Sequence, residues 1–481
     1  MSQRQVVSFY LNGRLQHVTP VSPTQTVLQY LREQAGLSGT KEGCAEGDCG
    51  ACTVTEASLG ADGQVEFRAV NACIRFLPTL DGRAVWTVEA VAGGDGSLHP
   101  VQQAMVDHHG SQCGFCTPGF VMSMYTMYQN GLTRPVREEV LDNLSGNLCR
   151  CTGYRPIIDA ALNMGNYPES RLDTELIEQQ LVELQESCKT SLHLESAGQR
   201  YFAPATLDEL AELYAARPEA MLLAGGTDVG LMVTKQLRSF DDIIYLGSVS
   251  ELNQIEHQGD CLRIGATVLL NDGYAAVANE YPEVLELWKR FASMPIRNSG
   301  TLVGNVANGS PIGDSAPFLI AIQARVVLRK GGRRRELPLE DLYVDYRKQA
   351  REPGELVEAL LVPLRAADVQ VATYKLSKRV DQDISAVCGA YALRVDQGRV
   401  ASVRIAHGGM AATSRRAPHA ERALDGQSWD ESAVARAMDA LEQDYQPMTD
   451  MRATGAYRLK AARNLLYRFY LESTGMTDTR I

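Results

Sequence analysis

The sequence predicts a multidomain α+β fold. At roughly 100–200 residues per domain, 481 residues correspond to about three to five domains. The hydrophobic pattern also changes along the chain, from strands to short helices and then to mixed elements. The predicted divisions are a mostly β domain (1–90), a helical domain (91–165), a linker (166–197), an α/β domain (198–367) and a C-terminal α+β domain (368–481).

Residues 1–90 carry the signals of a small β domain. Two strand-like runs, 6–11 and 14–19, flank Asn12-Gly13, a pair that favours the φ > 0 turn of a tight hairpin. The remaining predicted elements are a helix over 26–33 and strands over 65–70 and 84–88.

Residues 91–165 predict four short helices separated by capping signals. Thr117-Pro118 is typical of a helix start, and Asn130-Gly131 is typical of a helix end. The four helices are expected over about 99–109, 117–130, 135–145 and from 156 onward, which favours a small bundle.

The second half of the chain predicts mixed structure. Acidic residues and the absence of glycine mark 166–197 as a partly helical linker. Alternating strands and helices after Tyr201 indicate an α/β domain. The clearest later elements are a hairpin of 383–395 with 400–406 and helices over 430–443 and 454–473.

The charge balance argues against some classes of protein. There are 47 Lys and Arg residues against 58 Asp and Glu, which gives a net charge of −11. A general nucleic-acid binder is therefore not expected, because phosphate neutralisation needs a basic surface. The sequence has no secretory signal and no apolar run near the ~18 residues of a membrane span. We expect a cytoplasmic protein with reduced thiols and no membrane partner.

Eight of the eleven cysteines lie between Cys44 and Cys151 and form two sets. The first set has the C-x4-C-x2-C spacing and distant fourth cysteine of plant-type 2Fe–2S ferredoxins. A loop that supplies three thiolates needs the backbone freedom of Gly43, Gly47 and Gly50. Zinc is the alternative, although zinc sites usually pair two C-x2–4-C units. The predicted ligands are Cys44, Cys49, Cys52 and Cys73.

The second set consists of two half-sites that resemble each other, CGFCTPGF and CRCTGYRP. Each cysteine pair lies just before a predicted helix, whose positive N-terminal end would stabilise anionic thiolates. A second iron–sulfur cluster is favoured, with zinc again the alternative. The predicted ligands are Cys113, Cys116, Cys149 and Cys151. We interpret the three remaining cysteines, Cys188, Cys261 and Cys388, as ordinary thiols.

Two glycine-rich loops suit a nucleotide. Residues 222–230 (LLAGGTDVG) follow a predicted strand, so their backbone N–H groups can hold a pyrophosphate. Residues 300–314 are rich in small and amide side chains. Taken alone, either loop is also typical of tight turns in a large domain. Neither matches the G-x-G-x-x-G or G-x-x-x-x-G-K-[ST] pattern.

Taken together, these motifs resemble a known family. Over about residues 5–475 the chain is similar to the small, iron–sulfur/FAD subunit of bacterial xanthine dehydrogenases, within the molybdenum hydroxylases. The similar segments are KEGCAEGDCGACTV (41–54), NACIRFL (71–77), QCGFCTPGFVMS (112–123), NLSGNLCRCTGYRPI (143–157), LLAGGTDVGL (222–231) and IRNSGTLVGNVANGSPIGDSAP (296–317).

The resemblance implies a β-grasp ferredoxin-like domain, a four-helix 2Fe–2S domain, an α/β FAD-binding domain of the vanillyl-alcohol-oxidase type and a C-terminal α+β domain. Gln112 would approach the pterin of a partner, and residues 378–383 would lie where NAD docks. The implied FAD contacts are Leu222, Leu223, Ala224, Gly225, Gly226, Thr227, Asp228, Val229, Phe291, Thr301, Gly304, Asn305, Asp314, Leu356, Val357 and Lys375.

The resemblance also implies a function, that of the electron-transfer subunit of an NAD-dependent xanthine dehydrogenase. Electrons would pass from a molybdenum cofactor on a large partner subunit through two 2Fe–2S clusters to FAD and then NAD. The substrate site would lie on the partner, in a heterotetramer of two heterodimers. The alternatives are the equivalent subunit of another molybdenum hydroxylase (for an aldehyde or N-heterocycle), a stand-alone iron–sulfur flavoprotein carrier and a zinc-stabilised structural protein.

Overall fold

The chain divides into two compact units. The computed structural model describes residues 4–60, 62–476 and 479. The first unit runs to Leu210 and also contains Glu219–Ser250 and Ala292–Gly300. The second unit contains Ala211–Pro218, Glu251–Phe291 and the chain from Thr301 onward. None of the helices in these described ranges has the length and apolar character that a membrane crossing needs.

The N-terminal domain of the first unit is built on a five-stranded sheet. Its first hairpin closes at Asn12 (φ 53°) and Gly13 (φ 77°), so the predicted turn is confirmed. Thr26 forms a capping box with Gln29, and the helix that it starts continues as a π-helical turn over Tyr30–Gln34. In sheet order the strands are Arg14–Val18, Val7–Leu11, Ala84–Trp86, Thr53–Leu59 and Val65–Asn71.

Both faces of the inner strands of this sheet are buried, whereas the edge strand Arg14–Val18 is exposed or half-buried. Side chains alternate along a strand, so Val85 lies in one hydrophobic core while Ala84 and Trp86 lie in another. The core around Val85 continues into a four-stranded sheet of the same unit, and the other core continues into the helical domain. In sheet order, the strands of the four-stranded sheet are Leu192–Ser196, Gln199–Ala203, Asp242–Tyr245 and Met221–Leu223.

The acidic stretch predicted as a linker is structured. It contains the helix Thr174–Ser187, which Asp173 caps by accepting the N–H of Leu176. Its last residues already form the strand Leu192–Ser196, because the alternating Leu192 and Leu194 are buried in the core of the four-stranded sheet.

The helical domain contains four α-helices, as the capping signals predict. The first starts from a capping box between His99 and Gln102 with Pro100 in its first turn. The second helix is buried almost throughout, because the other elements of the domain and the five-stranded sheet surround it. The helices are Pro100–Asp107, Thr117–Gln129, Arg137–Asn143 and Arg155–Asn163.

The second unit begins with a five-stranded antiparallel sheet and helices. The alternating pattern predicts strands and helices correctly, but the parallel pairs lie in the smaller sheet of the first unit. In sheet order the strands are Ile255–Gln258, Cys261–Gly265, Leu356–Pro363, Arg325–Lys330 and Arg333–Pro338. The α-helices are Leu270–Glu280, Leu285–Arg290, Leu302–Asn308, Ser315–Ala321 and Leu339–Leu342, and a small hairpin joins Tyr343–Asp345 to Lys348–Gln349.

The C-terminal part of the second unit packs helices on a four-stranded antiparallel sheet. The predicted hairpin turns at Gln397 (φ 47°) and Gly398 (φ 77°). Its first strand begins at Val387 and not at 383, because Asp383 instead accepts hydrogen bonds from the N–H groups of Arg379 and Ile384. The strands are Val369–Leu376, Val387–Asp396, Arg399–Gly408 and Arg415–Arg416, and the helices are Pro418–Leu424, Glu431–Asp444 and Gly455–Ser473.

Arg458 is the central polar contact of this last part. Its guanidinium is only 2% exposed and lies 2.7 Å from the Asp450 carboxylate. It also donates hydrogen bonds to the carbonyl oxygens of Ala386 and Gly409. Arg458 therefore joins the last helix to the start of the strand Val387–Asp396 and to the end of the strand Arg399–Gly408.

We expect Arg458→Met to destabilise the second unit by about 3–5 kcal/mol, because it leaves Asp450 and two carbonyl oxygens without their buried partner. The measurement is urea-induced unfolding of the full chain. Arg463→Met on the same helix is the control. Arg463 pairs with the exposed Asp439 and Glu442, so about 1 kcal/mol or less is expected. Equal losses in the free energy of unfolding in the two variants would contradict the role of Arg458 as the central buried contact.

Candidate iron–sulfur and flavin sites

The four thiols of the first cysteine set lie against one another. Hydrogen bonds with Cys49 and Cys73 lower the pKa of the Cys44 thiol, and hydrogen bonds with Cys44 and Cys52 raise the pKa of Cys73. The backbone N–H groups of Glu46 and Cys49 each point at Cys44 Sγ from 3.4 Å. Four convergent thiols with N–H donors directed at sulfur fit a 2Fe–2S cluster, whose thiolates need such donors.

The loop that carries the first three of these cysteines has no room for side chains at two glycines. A Cβ atom on Gly43 would lie 2.8 Å from Cys49 Sγ. Gly50 has φ +68°, and a Cβ atom there would lie 2.2 Å from the Gly146 carbonyl oxygen. The loop thus presents main chain to the sulfurs and to the neighbouring helical domain.

The second set consists of two close thiol pairs. A hydrogen bond with the backbone of Phe115 and one with Cys151 lower the pKa of Cys113. Burial and a hydrogen bond with Cys149 raise the pKa of Cys116 to about 12. The helix Thr117–Gln129 starts directly after Cys116, as predicted, so its N-terminal end faces the set.

The two sets are joined through the main chain. Leu148 donates its N–H to the Cys49 carbonyl oxygen at 3.0 Å, so a ligand of the first set is one hydrogen bond from the residue before Cys149. Across the described part of the chain, no group of three or more His, Cys, Asp or Glu side chains is arranged to hold a single metal ion.

The first glycine-rich loop lies in the first unit. It connects the strand Met221–Leu223 to the helix Val229–Thr234, which is the predicted strand–loop–helix order. Gly225 packs directly on the main chain of Ser299 and Gly300, where a Cβ atom would lie 2.1 Å from the Ser299 carbonyl oxygen. The first unit therefore brings residues 222–229 together with the start of the second glycine-rich loop.

The remaining predicted FAD contacts lie in the second unit. Thr301 caps the helix Leu302–Asn308 by accepting the N–H of Gly304, and this helix packs on the strand Leu356–Pro363. The Oδ1 atom of Asn305 is buried and accepts no hydrogen bond from any residue that the structure describes. An orphaned acceptor of this kind fits the polar edge of a bound ligand. The predicted contacts in this unit are Phe291, Thr301, Gly304, Asn305, Asp314, Leu356, Val357 and Lys375.

A buried ion pair lies at the start of the next helix, Ser315–Ala321. Lys375 Nζ is 2.5 Å from Asp314 Oδ2, with the two side chains only 2% and 5% exposed. Ser385 completes the group, because it donates to Asp314 Oδ1 at 2.6 Å and lies 2.9 Å from Lys375 Nζ. Ser385 is absent from the residues predicted from the sequence. It follows the exposed Ile384 and lies two residues before the strand Val387–Asp396, with no motif to signal it.

Arg290 is a second residue that the sequence does not reveal. Its guanidinium donates to the carbonyl oxygens of Lys375 and Val380 at 2.8 and 3.0 Å and to Ser377 Oγ at 3.2 Å. It thereby holds the exposed loop 378–383 against the helix that leads to Phe291. The only sequence signal is its position directly before Phe291.

Four family models match this chain in succession. They are a 2Fe-2S iron-sulfur cluster binding domain (residues 9–77), a [2Fe-2S] binding domain (87–162), the FAD binding domain in molybdopterin dehydrogenase (194–365) and the CO dehydrogenase flavoprotein C-terminal domain (372–473). The chain is the iron–sulfur and FAD portion of a molybdenum hydroxylase. The predicted multidomain α+β fold is thereby confirmed.

The curated relatives of this molybdenum hydroxylase chain include xanthine dehydrogenases. The enzyme of Emericella nidulans is 32% identical over 98% of this chain, and that of Drosophila subobscura is 33% identical over 97%. The chain spans 39% of the length of each relative.

Solved structures of two further enzymes are similar as well. A carbon monoxide dehydrogenase chain from Hydrogenophaga pseudoflava is 29% identical with a TM-score of 0.53, over 56% of this chain and 94% of its own. A quinoline 2-oxidoreductase chain from Pseudomonas putida 86 is 26% identical with a TM-score of 0.52, over 58% of this chain and 99% of its own.

We expect Gly50→Ala to lose the iron of the first set, because its Cβ atom would overlap the Gly146 carbonyl oxygen. Gly114→Ala is the matched control. Gly114 also lies between two cysteines of a set and has φ +83°, but no atom of the described residues lies within 4 Å of its Cβ position. The measurement is iron per chain after anaerobic purification. The same iron content in both variants would contradict the steric explanation.

Proposed function

We propose that this chain is the electron-transfer subunit of a xanthine dehydrogenase. The observation that carries the proposal is the pair of four-thiol sets joined by the Leu148–Cys49 hydrogen bond, on a chain that also has a FAD-binding domain. When bound, the two clusters take electrons singly and the flavin takes them in pairs, which couples a two-electron oxidation to NAD. The similarity to xanthine dehydrogenases over nearly the whole chain supports this choice of enzyme.

The polypeptide itself would hold and separate the redox groups. Cys44, Cys49, Cys52 and Cys73 would bind one cluster, and Cys113, Cys116, Cys149 and Cys151 the other. Main-chain N–H groups of residues 222–229 would bind the FAD diphosphate. Asn305 would offer its buried Oδ1 atom to a donor of the flavin nucleotide.

The partner would be a large subunit that carries the molybdenum cofactor. The helical domain exposes apolar side chains next to its cysteines, with Phe115 48% and Tyr154 38% exposed beside the exposed Cys113 and Cys151. Exposed aromatic side chains of this kind are typical of a binding surface. Each relative is more than twice as long as this chain, and we propose that its remaining length corresponds to this partner. We expect a heterotetramer of two heterodimers.

The electron acceptor would be NAD, at the loop 378–383. This loop is largely exposed, and Arg290 holds its main chain at Val380. A carboxylate in the loop, Asp383, has its pKa lowered by hydrogen bonds from the backbone of Arg379 and Lys378, against the opposing effect of burial. The loop therefore presents an ordered surface close in sequence to the predicted flavin contact Lys375.

A second candidate is the equivalent subunit of a molybdenum hydroxylase for another substrate. The likeness to the carbon monoxide dehydrogenase and quinoline 2-oxidoreductase chains favours it. Substrate choice would be made on the partner, so this chain would perform the same electron transfer in either enzyme.

The test is anaerobic purification of the chain with whatever binds it. We expect four irons and one FAD per chain, a molybdenum-containing partner, and NAD reduction by hypoxanthine and xanthine. Cys73→Ser and Cys149→Ser should each lose two irons, and Cys188→Ser, which changes a thiol outside both sets, should lose none. Turnover of an aldehyde or N-heterocycle in place of purines would select the second candidate. Zinc in place of iron would refute both.

We expect Lys375→Met to weaken FAD retention and to destabilise the second unit by about 3–5 kcal/mol, because Asp314 would stay buried without its cation. Lys378→Met, on the exposed loop nearby, is the control and should change neither. The double variant Lys375→Met with Asp314→Asn should regain stability but not FAD, since it removes the charge without restoring the contacts. Measurements of unfolding and of flavin content after gel filtration separate these effects. If Lys375→Met retained as much FAD as the unsubstituted chain, the assignment of Lys375 to the FAD site would be contradicted.

A further inference from the structure

Asn147 is a buried amide that contacts the loop of the first cysteine set and the helix that follows Cys116. It is 3% exposed and stands two residues before Cys149 in the second set. Its Nδ2 group donates to the Gly50 carbonyl oxygen at 3.1 Å and to Thr53 Oγ1 at 3.2 Å. Its Oδ1 atom accepts from Ser123 Oγ at 2.7 Å. Both N–H donors and the carbonyl of this amide are therefore used.

The donor side of Asn147 is directed at the first set. Gly50 follows Cys49 directly, and Thr53 follows Cys52, so the two acceptors are main-chain neighbours of two ligands. Thr53 Oγ1 also donates to the Gly50 carbonyl oxygen at 2.7 Å. That oxygen is further enclosed by Gly119, whose Cβ position lies 2.1 Å from it. The Asn147 amide thus holds the turn between Cys49 and Cys52 in one conformation.

The acceptor side of Asn147 is directed at the second set. Ser123 lies on the helix Thr117–Gln129, which starts directly after Cys116. Ser123 is 1% exposed, so its 2.7 Å hydrogen bond to Asn147 Oδ1 is buried. Asn147 therefore ties the segment that carries Cys149 to the helix that follows Cys116, and so joins the two half-sites of the second set.

We propose that Asn147 is the positioning residue that sets the geometry of both iron–sulfur centres and their relation to each other. The inference rests on the proposed function, because it requires a cluster in each set. One planar amide with three buried hydrogen bonds has a fixed orientation, and its two ends reach different sets. The Leu148–Cys49 hydrogen bond, donated by the residue after Asn147, joins the same two segments.

The two ends of the amide can be tested separately. Asn147→Asp keeps the acceptor for Ser123 and loses both N–H donors, so we expect it to change the EPR spectrum and midpoint potential of the first-set cluster. Ser123→Ala removes only the contact to the other half-site, so we expect it to change those of the second-set cluster. Asn147→Ala should change both and slow electron transfer between the clusters severalfold. Single-set cysteine variants assign the signals.

Asn163→Ala is the matched control, since Asn163 lies in the same domain and donates only within its own helix, to the Asp159 carbonyl oxygen at 2.8 Å. Both spectra and potentials should be unchanged in that variant. The proposal is overturned if Asn147→Ala retains four irons with both spectra, both potentials and the transfer rate unchanged. If Asn147→Ala loses iron, the two spectra and the two potentials are compared in Asn147→Asp and Ser123→Ala. The proposal is then overturned if both of these variants leave the spectra and potentials unchanged. Fewer than four irons in the unsubstituted chain would instead refute the proposed function.

Discussion

The inner strands of the N-terminal sheet are buried on both faces, and the arrangement of the first unit depends on this constraint. Alternate side chains of its strands enter two different hydrophobic cores, one shared with the helical domain and one shared with the four-stranded sheet. A sheet covered in this way cannot shift in register without exposing apolar side chains on both sides. The loop with Cys44, Cys49 and Cys52 leads directly into the strand Thr53–Leu59 of this sheet, and Cys73 follows the strand Val65–Asn71.

Close contact between main-chain segments is the second theme of the first unit. Gly50 packs on Gly146 and Gly119, and Gly225 packs on Ser299 and Gly300. Ile74, next to Cys73, packs in the same way on Gly230 at the start of the helix after the first glycine-rich loop. The approach is close because glycine offers no Cβ atom. The cysteine loops and the first glycine-rich loop are thus parts of one packed structure.

In the second unit, buried charged side chains determine how the elements pack. Lys375 and Asp314 neutralise each other with Ser385 as the third partner, and Arg458 does the same with Asp450 and two carbonyl oxygens. Such groups tolerate burial only when each hydrogen bond is made, so they select one arrangement of the elements that carry them. Neither group has a local sequence signature, because its members come from distant parts of the chain.

Local chemistry was sufficient to predict much of this protein from its sequence. The turns at Asn12-Gly13 and Gln397-Gly398, the helix start at Thr117 and the spacing of the cysteine sets depend on residues a few positions apart. Tertiary structure alone decided that Leu192–Ser196 is a strand and that Ser385 joins Lys375 and Asp314. It also decided that Asn147 contacts both the first cysteine loop and the helix that follows Cys116. The physical reason is that these features depend on burial against segments far away in the chain, which no local pattern records.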